Sequence, residues 1–219
     1  MPSTRAVTVE PTARVRGRVR PPGDKSISHR YALLAAIAHG TTDVTIEQVG
    51  LNPTRTAILD VLRRMGAHIE TAIDDEKAHE PTGTIRIRHA GLRSTVIAPH
   101  EVPGLIDELP VLAALATHGG ELSVSGAGEL RVKEGDRISA LSEGLRRLGG
   151  DVAEQPDGFH VRGGRRLTGG EADAKGDHRL AMAFAVAALG GAAPSTILDA
   201  GSAAVSYPKF FSVLESLRA

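Results

Sequence analysis

Apolar residues recur at helical spacing in Ala57–Arg64 and again in Ile138–Arg147, each with arginines on the opposite side, so both stretches predict amphipathic helices. Gly66 and Gly149 follow them where a left-handed C-terminal cap is expected. Three Ala-rich runs, Ala32–Gly40 (ALLAAIAHG), Val111–Gly119 (VLAALATHG) and Ala181–Gly190 (AMAFAVAALG), read as further helices. Short β runs stand at Val44–Ile46, Leu122–Val124 and Thr196–Leu198. In Thr84–Arg88 (TIRIR) and Phe159–Arg162 apolar and polar residues alternate, the pattern of a strand with one wet face.

These elements repeat. The Ala-rich runs at 32 and 111, and the pair Leu62–Ile69 (LRRMGAHI) and Leu145–Val152 (LRRLGGDV), are offset by roughly 80 residues. A weaker third copy is Ala181–Gly190 followed by Phe210–Leu217 (FFSVLESL). Each copy leaves one helix face uncovered, which predicts an α+β fold. The expected arrangement is a single domain over residues 1–219 of three βαβαββ-type repeats, with helices inside and mixed sheets outside. The repeats are expected at approximately 15–96, 97–163 and 164–219, with residues 1–14 completing the last. Thr71–Thr82 (TAIDDEKAHEPT) is polar and reads as a solvated hairpin loop, and Arg162–Glu171 (RGGRRLTGGE) as a Gly-rich connection.

Composition narrows the function classes. Lys+Arg and Asp+Glu stand at 26 each, so no global charge attracts nucleic acid or an anionic membrane, and an anion site must come from local clustering. Aromatics are only 3%, too few for base-stacking platforms. The absence of Cys excludes disulfides and a thiolate nucleophile and fits a cytoplasmic setting. The first residues, MPSTRAVTVE, lack the pattern of a secretion signal, and no apolar run approaches a membrane span. The nine His show no close ligand spacing, so neither a metal nor another cofactor is expected, and no Gly-x-Ser-x-Gly elbow supports a hydrolase triad.

Three polar clusters precede predicted helices. In Pro22–Arg30 (PGDKSISHR), Asp24, Ser26 or Ser28 can serve as plain N-caps, which leaves Lys25 and Arg30 unexplained; amides, a hydroxyl and two cations at a helix N-terminus also make an anion site. In Arg131–Arg137 (RVKEGDR), the charges suit a solvated face. That is the commoner role of such a helix entry; the alternative is that Arg137 grips a carboxylate bidentately and Glu134, if held close to the reacting atoms, serves as an acid. In Gly176–Arg179 (GDHR), Asp177 is an N-cap candidate for an Ala-rich helix. Asp107, at the start of the second copy, reads as another N-cap unless a partner claims it.

Six stretches in order, Pro22–Arg30, Leu51–Thr56 (LNPTRT), Ile106–Pro110 (IDELP), Arg131–Arg137, Gly176–Met182 (GDHRLAM) and Val205–Phe211 (VSYPKFF), resemble the motifs of the EPSP synthase (3-phosphoshikimate 1-carboxyvinyltransferase) family. The resemblance implies an enolpyruvyl transferase of the shikimate pathway and of aromatic amino acid biosynthesis. Its partners would be phosphoenolpyruvate and shikimate 3-phosphate, whose 5-hydroxyl receives the carboxyvinyl group. Carried over by position, Lys25, Ser26 and Arg30 would meet substrate phosphate and phosphoenolpyruvate, with Lys25 also among the catalytic residues. Arg137 and Arg179 would hold phosphoenolpyruvate, with Lys133 and His178 nearby. Asp107 would orient or deprotonate the hydroxyl, and Glu134 would move the proton to and from the methylene carbon. The resemblance implies two such domains in a complete member and one in this chain: the helix expected after PGDKSISHR would run through His39-Gly-Thr-Thr directly into LNPTRT. Glu129 stands where some members have Asn, and Val205 where some have Lys. The shortened chain implies either a transferase that pairs as a homodimer or a non-catalytic anion-binding domain.

Overall fold

The computed structural model describes residues 6–12, 15–19, 43–77, 80–88, 91–133 and 135–218. Their strands are β1 (Val7–Val9), β2 (Arg16–Val19), β3 (Asp43–Gly50), β4 (His68–Lys77), β5 (Glu80–Arg88), β6 (Thr95–Ile97), β7 (Glu121–Val124), β8 (Asp151–Gln155), β9 (Gly158–Arg162), β10 (Gly170–Asp173) and β11 (Ser195–Leu198). They form three sheets, in the orders β2-β3-β5-β4, β6-β7-β9-β8 and β1-β11-β10. The repeat seen in the sequence returns as connectivity. A parallel pair (β2 with β3, β6 with β7, β10 with β11) is extended on one side by an antiparallel neighbour (β5, β9, β1).

The sheets lie outside and the helices inside because of what each can bury. All eight residues of the Leu109–Ala116 helix are buried, as is the unbroken run Leu180–Leu189 of the His178–Leu189 helix. Helices apolar all round belong in a core. Their Ala content lets them approach closely, and the Arg137–Arg147 helix joins them through a notch: a Cβ at Gly144 would stand 2.2 Å from Phe184 Cζ. That helix buries Ile138, Leu141 and Leu145 and ends in Arg146 and Arg147, as the shorter Ala57–Arg64 helix buries Ile58, Leu59, Val61 and Leu62 and ends in Arg63 and Arg64.

Both expected glycine caps are present. Gly66 has φ 98° and Gly149 φ 96°; the N–H of the next residue reaches back to Leu62 O (2.9 Å) in one copy and Leu145 O (2.8 Å) in the other. Ile85 and Ile87 of β5 are buried between more exposed neighbours, and in β9 Phe159 and Val161 are buried while His160 and Arg162 are less so, so alternation locates these strands correctly.

Thr71–Thr82 is corrected by the structure. Strand β4 runs on to Lys77 and β5 starts at Glu80, with Thr71 opposite Ile85 and Lys77 opposite Glu80. The polarity records exposure to water on both faces of a long hairpin, not the absence of a hydrogen-bond ladder, and Thr84 Oγ1 donates to Asp74 Oδ2 at 2.9 Å across it. The Ala-rich helix expected over Ala32–Gly40 falls outside the described residues.

Candidate functional site

Two helices begin with the same device. Asp136 caps Arg137–Arg147 by accepting from Ser139 N at 3.0 Å, and its other oxygen receives Arg131 Nη1 at 2.6 Å. Asp177 caps His178–Leu189 by accepting from Arg179 N at 2.8 Å and Leu180 N at 3.4 Å, while its other oxygen receives Arg137 Nε at 2.6 Å. In each case a carboxylate covers orphan amides at the positive end of a helix and holds a guanidinium at the same time.

Their surroundings differ. Arg131 and Asp136 are partly exposed, and the guanidinium also donates to Pro156 O, Gln155 O and Glu154 Oε1. The bond to Asp136, outweighing the effect of desolvation, raises the Arg131 pKa further above its ordinary value. Arg131 therefore ties the start of its helix to the β8–β9 turn. The side chains of Arg137 and Asp177 are 1% and 6% exposed. Arg137, expected to grip a ligand carboxylate, has an internal one at its Nε.

Between these helix starts lies a cavity of about 260 Å³ with Asp136, Arg137, Ser139, Lys175 and Asp177 in its walls. Lys175 was not singled out in the sequence, although a cation directly before a turn glycine and a capping aspartate was a usable signal. Its backbone is left-handed (φ 49°), its N–H donates to Asp173 Oδ1 at 2.8 Å, and its Nζ donates to Glu143 Oε2 at 2.7 Å. That bond holds the Glu143 carboxyl below the usual carboxylate range, and Arg147 adds to the effect.

Arg179 points elsewhere. Its Nη2 is 2.9 Å from Asp107 Oδ2, and its Nη1 donates to Asp107 O at 3.4 Å. Asp107 is thus not an N-cap. The cap position of the Leu109–Ala116 helix is Glu108, which makes no side-chain capping bond, and Pro110 occupies the first turn, where a missing N–H costs nothing. Lys133 pairs with Glu129 one turn earlier, and His178 opens its helix part-buried. The structure thus groups Arg137 with the cavity, pairs Asp107 with Arg179, and sets Lys133 on a separate exposed pair. Lys25, Ser26, Arg30 and Glu134 lie outside the described residues. Among the described residues no cluster of three or more His, Cys, Asp or Glu could hold a metal ion, and no helix is long and apolar enough to cross a membrane.

The family model for EPSP synthase (3-phosphoshikimate 1-carboxyvinyltransferase) matches residues 9–45 and 40–214. The two stretches overlap at residues 40–45, where the His39–Thr42 passage ends. The 3-phosphoshikimate 1-carboxyvinyltransferase of Desulforudis audaxviator is 46% identical over 215 residues, covering 97% of this chain and 50% of its own. The like-named protein of Acaryochloris marina is 43% identical over 218 residues, covering 99% and 49%. The chain therefore spans about half the length of the curated relatives it matches. A solved EPSP synthase of Acinetobacter baumannii superposes with a TM-score of 0.83 at 34% identity, over 90% of this chain and 46% of that one. The enolpyruvyl transferase NikO of Streptomyces tendae shares the fold, with a TM-score of 0.69 at 17% identity over 89% and 42%.

Proposed function

Because the chain belongs to the EPSP synthase family, we propose that it binds phosphoenolpyruvate at the helix N-termini described above and transfers its carboxyvinyl group to the 5-hydroxyl of shikimate 3-phosphate. In this reading Arg137 and Arg179, together with Lys25, Ser26, Arg30, Lys133 and His178, bind the substrates' phosphate and carboxylate groups. Glu134 delivers a proton to the methylene carbon, and Asp107 takes the hydroxyl proton as that oxygen bonds to the central carbon. The carbon–oxygen bond to phosphate then breaks, a methyl proton is returned, and inorganic phosphate leaves. The observation that carries the reading is the cavity between two helix N-termini with Arg137 and Lys175 in its wall. Cations at the positive ends of helix dipoles favour a polyanion. The same reading sets the protein in the cytoplasm and pairs two copies of it as a homodimer.

One experiment tests it: incubate the protein with phosphoenolpyruvate and shikimate 3-phosphate, follow phosphate release, and measure mass by light scattering. We expect release and a dimer. The half-length of the chain against its relatives favours a second reading, a non-catalytic anion-binding domain. Phosphoenolpyruvate binding by a strict monomer that releases no phosphate would establish that one instead.

A further inference from the structure

The acids and bases around the cavity are not equally committed. Arg137 is buried against Asp177, and Asp136 is held by Arg131. Lys175 is bonded to Glu143, which is itself 3.2 Å from Arg147 Nη2, so Glu143 keeps a counter-charge if Lys175 departs. The Lys175 side chain is half exposed, and a pair of that kind exchanges partners at little cost. The backbone adds a second sign. Lys175 holds φ 49° directly before Gly176 at φ 78°, a conformation that Gly or Asn adopts more readily than Lys. Of the left-handed non-glycine residues among those described, Gln48, Lys175 and Asp199, Lys175 is the one in the cavity wall, and ligand clamps are among the places where such backbone is kept.

We propose that Lys175 is an anion-binding residue of this cavity, exchanging Glu143 for the phosphoryl group of phosphoenolpyruvate. The proposal rests on the phosphoenolpyruvate reading above. A phosphoryl group is the natural acceptor because an ammonium is a compact charge on a flexible stem, with none of the fork geometry that favours arginine on a carboxylate. The two members of the pair should then have opposite effects. Lys175→Asn, which tolerates the left-handed backbone, removes the cation. Glu143→Gln releases it.

Calorimetric titration with phosphoenolpyruvate at low ionic strength reads both. Lys175→Asn should weaken binding about tenfold, the scale of one charge-assisted contact. Glu143→Gln should tighten it roughly two- to threefold, the scale of an exposed pair. Lys175→Gly gives the same reading as Lys175→Asn in a backbone that prefers the observed φ, and guards against a variant that fails to fold. Equal affinities across the series overturn this proposal and leave the proposed function standing. Weakening by both Lys175→Asn and Glu143→Gln makes the pair structural and also overturns it. Wild-type protein that does not bind phosphoenolpyruvate overturns both.

Discussion

Asp136 and Asp177 are the same local solution placed in different solvents. Each caps a helix with one oxygen and holds an arginine with the other, at 2.6 Å in both cases. At Asp136 water shares the work, and Arg131 has three further acceptors. At Asp177 the pair is sealed, so neither charge can be left alone without a desolvation penalty. Identical hydrogen-bond geometry therefore says little about energetic weight. Burial decides it.

The comparison can be broken most directly at the buried end. Asp177→Ala should cost about 3–5 kcal/mol in urea unfolding, because it strands Arg137 and uncaps the His178–Leu189 helix. A loss no larger than that of a surface cap would overturn the distinction. The next test asks where that cost comes from. The double replacement Arg137→Met with Asp177→Asn keeps a capping side chain and removes both charges. It should recover more than half of the loss, leaving roughly 1–2 kcal/mol. At the wet end, Asp136→Ala should cost about 1 kcal/mol, the worth of an N-cap, since Arg131 keeps Glu154 and two carbonyls. Smallest is the acid response of Glu143, whose carboxyl Lys175 holds below the ordinary range. A lowered carboxylate contributes stability that is present above the unfolded pKa and is lost as pH falls through the folded one. Acid titration of stability should therefore show a shallow decline in that window, removed by Glu143→Gln and by high salt.

Much of the fold was legible because it obeys period and repetition: the TIRIR strand, the two Leu-Arg-Arg helices and their glycine caps answer to local rules. Thr71–Thr82 was not, since composition reports solvent contact and the far end of the β4–β5 hairpin is wet on both faces. The site divides in the same way. Asp177 as an N-cap follows from its position before an apolar run, but its bond to Arg137 spans 40 residues and exists only through tertiary packing. Arg131 and Arg137 sit six apart in one charged stretch and look interchangeable there. Only the closing of helix on helix makes one a surface tie and the other a buried charge. Asp107 shows the converse, a capping signal overridden once Arg179 arrives from a later repeat.

The pairing of β1 with β11 has a consequence in time. Thr8 lies beside Thr196 across 188 residues of chain, and Thr12 N donates to Leu189 O at 2.8 Å. On a ribosome adding about 5–20 residues per second, the first strand waits on the order of ten seconds or more for its partner to be made. The middle sheet, with all its strands between Thr95 and Arg162, needs no such delay. Synthesis should thus leave a half-built molecule whose middle sheet is already ordered and whose β1 strand is still unpaired, the stage at which a chaperone or a second nascent chain would find it.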